Sequence, residues 1–234
     1  MKNQISQENS GKLYIVGTPI GNLEDITYRA VRTLKEVNLV ASEDTRRSKI
    51  LFNHYNINTP LVSYYEYNKY KRAPQLIKNL LEGKNLALIS NAGTPGISDP
   101  GYFLIKIAID NNLPVIPIPG TSSLITALSV SGLPTDRFIF EGFLPRKKAK
   151  RITYLKKLQN EKGTLLFFES PYRIINTLKE MLTLWGNRDA VLAREMTKIY
   201  EEFIREKIIK IIQKLEGKKI RGEITLLVSG KNKI

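Results

Sequence analysis

Between Ser90 and Gly101 the chain reads SNAGTPGISDPG, twelve residues holding three Gly, two Pro and two Ser. It follows the apolar run Leu86–Ile89, which has the character of a buried parallel strand, and precedes a helical pattern from Tyr102 onward. Neither element can continue through it, because Gly and Pro break both periodicities. A plain strand-to-helix connection takes about 2–6 residues, and this one is roughly twice that. Without a Cβ, Gly93, Gly96 and Gly101 allow backbone amides and carbonyls to touch a ligand directly. A side chain at Gly93 is therefore expected to block a ligand while leaving the fold intact. A wide loop at the carboxyl end of a strand is also where open α/β sheets place their ligands.

Three further stretches carry chemistry-bearing residues at strand ends. Gly17-Thr-Pro-Ile-Gly21 follows the first apolar run and lacks both the G-x-G-x-x-G and the G-x-x-x-x-G-K-[ST] patterns of nucleotide loops. Glu43-Asp44-Thr45-Arg46-Arg47 sets two carboxylates beside two guanidiniums. That pattern suits a tuned base or a grip on a polar substrate. It equally suits a helix start in which Asp44 or Thr45 is the cap. Pro119-Gly120-Thr121-Ser122-Ser123 offers hydroxyls and free amides at a helix start, a combination that holds carboxylates or ribose hydroxyls. Gly- and Pro-rich loops at several ends of one sheet point to a shared cleft and a nucleotide-like ligand.

The composition removes other chemistries. There is no cysteine, hence no disulfide, thiolate nucleophile or thiolate-bound zinc, and the single histidine, His54, reads as a solvent-facing or capping residue. A Ser-His-Asp triad or a histidine-rich metal site would rest on that one residue, and no metal is expected. No apolar run reaches the ~20 residues of a membrane span, and the polar Met1–Ser10, expected to fray, lacks the apolar core of a secretory signal. The expectation is a cytoplasmic protein with no membrane association. The net charge of +15 favours an anionic partner, nucleic acid first, although a Lys-rich coding bias raises the same total. Clustering is more telling. From Arg146 to Lys157 stand Arg146, Lys147, Lys148, Lys150, Arg151, Lys156 and Lys157 with no acid among them. They read as RNA phosphate contacts or as a solvated helix face. Tyr154 and the run Tyr64-Tyr65-Glu66-Tyr67 offer rings for base stacking, and the tyrosine run reads equally as a packed strand end.

Behind these loops the first half of the chain alternates strand and helix. Strands are expected at 12–17, 39–42, 61–63, 86–89 and 115–118, with helices at 27–36, 45–55, 70–82 and 102–111. Thr27 is placed as an N-cap and Gly83 as a helix stop. Such repeats imply a parallel sheet covered on both faces. The second half changes character: a helix at 121–131, then strands at 137–143, 164–169, 190–194, 202–205 and 223–228 among helices at 147–159, 172–184 and 207–215. This is an α+β pattern with a mixed sheet. The expected organisation is a flexible terminus at 1–11, an N-terminal parallel-sheet α/β domain at 12–120 and a C-terminal mixed-sheet α+β domain at 121–234.

The runs VGTPIGNLEDIT (16–27), ASEDTR (41–46), SNAGTPGISDPGY (90–102), PIPGTSSLITALSVSGLPTDRF (117–138), FEGFLPRK (140–147), FFESPYR (167–173), AREMTK (193–198) and RGEITLLV (221–228) stand in collinear order. Together they resemble the ribosomal RNA small subunit methyltransferase I family of the tetrapyrrole-methylase superfamily, over roughly residues 12 to 230. The resemblance implies a two-domain tetrapyrrole-methylase-like fold, a homodimer, and S-adenosylmethionine as cofactor. It implies methylation of a cytidine ribose 2′-hydroxyl in the decoding region of 16S ribosomal RNA, presented as RNA or as the assembled small subunit. Carried over position by position, cofactor contacts fall on Ile20, Ala92, Gly93, Thr94, Ile97, Ser122, Ser123, Glu169 and Met196. One departure stands out: the family usually has Asp where this chain has Asn91.

Methyl transfer to a ribose hydroxyl needs the oxygen held in line with the breaking bond and its proton removed. With no Cys and one His, the proton acceptor is sought among carboxylates: Glu43 or Asp44, with Arg46 orienting them or gripping phosphate. Direct displacement needs no metal. Two other readings compete: a methylase of anionic tetrapyrroles, which a basic cleft also suits, and a catalytically idle RNA-binding protein of the same fold.

Overall fold

The computed structural model describes residues 9–231, so the expectation for the N-terminus lies, up to residue 8, outside the described residues. The chain divides into two compact units, Met1–Ser122 and Ser123–Ile234.

The first unit contains β1 (Leu13–Val16), α1 (Tyr28–Glu36), β2 (Leu39–Ser42), α2 (Thr45–His54), β3 (Leu61–Ser63), α3 (Lys69–Leu81), β4 (Leu86–Ile89), α4 (Gly101–Asp110) and β5 (Val115–Ile118). Its five strands are all parallel in the order β3-β2-β4-β1-β5. β4 is buried along its whole length, and alternation sends Leu86 and Leu88 to one face, Ala87 and Ile89 to the other. Leu86 and Leu88 pack with Leu76 and Leu80 of α3 and Leu104 of α4. Ala87 and Ile89 pack with Leu34 of α1 and Leu51 and Phe52 of α2. Thr27 caps α1, its Oγ1 accepting the Ala30 amide at 3.1 Å, as the sequence predicts. A 3-10 turn at Leu23–Asp25, capped by Asn22, breaks the loop after β1 and has no counterpart in the sequence reading.

The second unit runs α5 (Ser123–Ser129), β6 (Phe138–Phe143), α6 (Lys148–Leu158), β7 (Thr164–Glu169), α7 (Ile174–Trp185), β8 (Asp189–Arg194), β9 (Glu202–Lys207), α8 (Ile208–Leu215) and β10 (Ile224–Val228). Its sheet, ordered β6-β7-β10-β8-β9, is mixed: β6 and β7 are parallel and the remaining pairs antiparallel. Phe167, Leu192, Leu226 and Val228 on one face meet Leu155, Leu178, Met181, Ile211 and Leu215 of α6, α7 and α8. The expected parallel sheet followed by a mixed one is present. Among the described residues no helix is long and apolar enough to cross a membrane.

Candidate functional site

Five parallel strands send all five following loops out of one edge of the sheet. The strand order puts the β4 loop between those of β1 and β2. Thr18 and Gly93 exchange backbone hydrogen bonds at 2.9 and 3.0 Å, joining the first and third of the sequence-predicted loops. The Thr121 hydroxyl donates to the Thr18 carbonyl at 2.5 Å, and the Thr94 hydroxyl to the Thr121 carbonyl at 3.2 Å. Behind this stitch Gly17 and Gly120 lie back to back: a Cβ on Gly120 would stand 2.8 Å from the Gly17 carbonyl carbon and oxygen. The loops after β1, β4 and β5 are thus one assembly. Ile20, Gly93 and Thr94 meet in it, and Ser122 follows Thr121 in the chain.

At Gly93 the expectation needs correcting. Its φ of +79° is strained for any side chain, most of all a branched one, while the nearest neighbours of an added Cβ, Ile20 Cγ2 at 3.5 Å and the Thr121 carbonyl at 3.7 Å, leave ordinary room. Substitution there strains the loop itself as well as crowding a ligand. Farther along, Asp99 Oδ1 accepts the amides of Gly96 and Gly101, both at 2.7 Å, and folds the loop on itself. Ala92, Thr94 and Ile97 remain exposed on it. Asn91 Oδ1 and Asp99 Oδ2 are buried acceptors with no hydrogen-bond partner among the described residues, and burial pushes the Asp99 carboxyl up. Sequence reading did not single out Asp99; its place two residues before Gly101 in a turn-rich run was the available signal.

The Glu43–Arg47 stretch resolves into two roles. Asp44 is the N-cap of α2, its Oδ1 accepting the Arg46 amide at 3.0 Å. The Arg46 guanidinium closes on the same carboxylate at 3.1 and 2.9 Å and holds Asp44 down to about 2. Glu43, one residue earlier, is half-buried and pushed up. Burial is the largest cause; the Asn91 amide, donating to its carboxylate, and Arg47 oppose it, while Asp99 and Asp44 add to it. Adjacent acids therefore have opposite proton affinities, and the one held up faces the glycine-rich loop.

The second unit holds the remaining expected cofactor residues. Ser123 opens α5. Glu169, at the end of β7, has both carboxylate oxygens engaged: Oε1 by the Ser170 amide at 2.7 Å and Arg173 at 2.6 Å, Oε2 by the Thr177 hydroxyl at 2.8 Å. Its side chain thus organises the start of α7. Met196 is buried between Glu195 and Thr197, whose φ values of +50° and +64° are uncommon for such residues. Strain of this kind collects at functional sites, and no residue type in AREMTK announces it.

Along the basic stretch, Arg146, Lys147, Lys148 and Lys150 are exposed. Arg151 is a correction. Its guanidinium is buried, forked onto Glu180 at 2.6 and 2.8 Å, and donates to the Pro145 and Arg146 carbonyls. It holds the loop before α6 rather than a phosphate. Tyr154 is also engaged: it is partly buried, and its hydroxyl donates to Glu141, which pushes it up to about 12.

Residues 12–211 match the sequence model of the family described as Tetrapyrrole (Corrin/Porphyrin) Methylases. A protein of Halalkalibacterium halodurans named Ribosomal RNA small subunit methyltransferase I is 50% identical over 233 residues, covering 98% of this chain and 81% of its own. One of the same name from Thermotoga maritima is 51% identical over 221 residues, covering 94% and 99%. Among solved structures, a cobalt precorrin-4 methyltransferase superposes with a TM-score of 0.70 at 18% identity, over 93% of this chain and 94% of its own. The Thermus thermophilus uroporphyrin-III C-methyltransferase complexed with S-adenosyl homocysteine gives 0.65 at 19%, over 94% and 97%. At those identities the structures speak for the fold alone. The fold, the matched residues and the near-full-length relatives agree: the chain belongs to the tetrapyrrole methylase family, among the members named ribosomal RNA small subunit methyltransferase I.

Proposed function

We propose that this protein is an S-adenosylmethionine-dependent methyltransferase acting on small-subunit ribosomal RNA, at the 2′-hydroxyl of a cytidine ribose in the 16S molecule. The observation that carries the chemistry is Glu43. It is a half-buried carboxylate pushed up by burial and held by the amide of Asn91 beside the glycine-rich loop. A ribose hydroxyl is a weak nucleophile, and a carboxylate of raised proton affinity is a better acceptor for its proton than one held near 2. Glu43 is therefore assigned as the proton acceptor. Asp44 and Arg46 hold the start of α2, and the exposed face of Arg46 remains available to a phosphate.

The loop assembly suits S-adenosylmethionine. Its positive sulfonium and amino groups match a site holding two unpartnered buried acceptors, Asn91 Oδ1 and Asp99 Oδ2, and a carboxylate. Ile20, Ala92, Gly93, Thr94, Ile97 and Ser122 are assigned to it, and the family resemblance adds Ser123, Glu169 and Met196. When bound, the cofactor supplies an electrophilic methyl group. The chain's own part is to orient the hydroxyl, take its proton at Glu43, and hold RNA through Arg146, Lys147, Lys148 and Lys150. We infer a cytoplasmic homodimer, with the two domains at 12–120 and 121–234.

Relatives near 50% identity bear a ribosomal RNA name, whereas the tetrapyrrole enzymes stand at 18–19%. That contrast favours RNA over a tetrapyrrole substrate. The test is mass spectrometry of nucleosides from small-subunit ribosomal RNA, offered naked and as the assembled subunit with S-adenosylmethionine. The expected product is 2′-O-methylcytidine; base-methylated nucleosides alone, or methylation of uroporphyrinogen but not of RNA, would overturn the reading.

A further inference from the structure

The turn after β3 leaves from the same edge of the sheet as Glu43 and the glycine-rich loop, at the end of the row where β3 has no further neighbour. This turn and the start of α3 carry rings of two kinds. Tyr64 is 1% exposed and packs into the core. Tyr67 is 93% exposed, Tyr70 69% and Tyr65 40%. We propose that Tyr65, Tyr67 and Tyr70 form a stacking platform for bases of single-stranded RNA beside the nucleotide being methylated. This rests on the RNA reading above and names the surface that receives the flanking bases.

The backbone beneath these rings is held by its own hydrogen bonds. Asn68 Oδ1 accepts the Tyr65 amide at 2.8 Å, its Nδ2 donates to the Ser63 carbonyl at 3.1 Å, and the Lys69 amide donates to the Tyr65 carbonyl at 3.0 Å. Tyr65 and Tyr67 meet edge to face, ring centres 6.4 Å apart. Tyr70 meets Phe103 the same way at 4.9 Å, with the Lys69 ammonium 5.2 Å from the Tyr70 ring centre. Phe103 lies in α4, directly after the glycine-rich loop, so the platform is continuous with the loop assembly. Rings fixed in this way and still facing water suit bases, because each base offers a π-face and stacking asks for no particular sequence.

Charge selects RNA over an apolar partner. Arg46, Arg47 and Lys49 open α2, and Lys69, Lys71 and Arg72 open α3, both at the starts that face this edge. Of the acids nearby, Glu66 is paired with Lys69 and Asp44 with Arg46. Lys71 has no ion-pair partner among the described residues, Arg47 acts on Glu43 without a close ion pair, and both are placed to meet phosphates flanking the stacked bases.

The test measures binding of a fluorescein-labelled oligoadenylate, and of an abasic ribose-phosphate oligomer of equal length, to the full chain. Each of Tyr65→Ala and Tyr67→Ala is expected to weaken oligoadenylate binding roughly 5- to 150-fold, the range that stacking one base supports. Tyr67→Trp should bind at least as well as the parent. Affinity for the abasic oligomer, the salt slope and S-adenosylhomocysteine affinity should not move. Unchanged oligoadenylate affinity in both Ala variants would overturn the platform, as would an equal loss for the abasic oligomer. So would a change in oligomeric state on Tyr67→Ala, which would mark the rings as a contact between copies. Methylation of ribosomal RNA by the parent, run in parallel, reports on the function reading separately: a parent that modifies the RNA beside Ala variants with unaltered affinity sinks the platform alone.

Discussion

Replacing Glu43 by Gln removes the proposed proton acceptor and little else, because the amide oxygen can still accept the Asn91 N–H. Glu43 is held above the ordinary range of a glutamate, while Asp44 sits at about 2. General-base removal costs about 10²–10⁴ in rate, so Glu43→Gln is expected to fall by that much in single-turnover methyl transfer to small-subunit particles. Asp44→Asn keeps a good capping oxygen on α2 and should stay within about tenfold. The pH profile carries the second half of the test. A carboxylate base must be ionised, so the parent rate should rise with pH through the raised pKa of Glu43 and then level off. A base at about 2 would leave the acid side flat across the range where the fold survives. Glu43→Gln should remove that limb. A Glu43→Gln protein that turns over at the parent rate with the parent pH profile would refute the assignment, and an equal loss in Asp44→Asn would move it next door.

Charges around Glu43 give a finer prediction of the same limb. Asp99→Asn removes a negative neighbour, so the limb should move to lower pH, whereas Asn91→Asp adds one and should move it upward; shifts in the opposite sense, read from pH–rate profiles, would show that the limb belongs to another group. Lys147→Ala and Lys148→Ala should each reduce the log–log salt slope of RNA binding by about 0.7–0.9, and an unaltered slope returns them to a solvated face. Arg151→Met should leave that slope alone but strand Glu180 in a buried site, costing about 3–5 kcal/mol in chemical denaturation, with most of it recovered by Glu180→Leu in the same chain. Gly120→Ala would force a Cβ to 2.8 Å from the Gly17 carbonyl, where both neighbours are backbone and cannot step aside. About 1–3 kcal/mol of stability and much of the S-adenosylmethionine affinity by calorimetry should be lost together; full cofactor affinity in that variant would separate the glycine contact from the site.

Much of this molecule was legible in its residue pattern. The strands of the first unit are short apolar runs, and their length and spacing leave only a parallel sheet covered on both faces. The unusual length and composition of Ser90–Gly101 exposed the principal loop, since no regular element tolerates it. Local chemistry of this kind is written in consecutive residues. What depends on distant neighbours was not readable. Glu43 and Asp44 are alike and adjacent in sequence; they differ because one meets the Asn91 amide across the β2–β4 pair while the other is taken by Arg46. Arg151 looks like its exposed neighbours in the basic run and is buried because Glu180, twenty-nine positions away, lies on the helix beside it. Gly17 and Gly120 are needed for each other, and the strain around Met196 comes from a turn whose residue types give no warning. Burial and pairing set proton affinity and exposure. Both are properties of the packed chain, so the sequence determined which groups exist and on which elements they stand, and the tertiary structure alone decided which of them remain free to act.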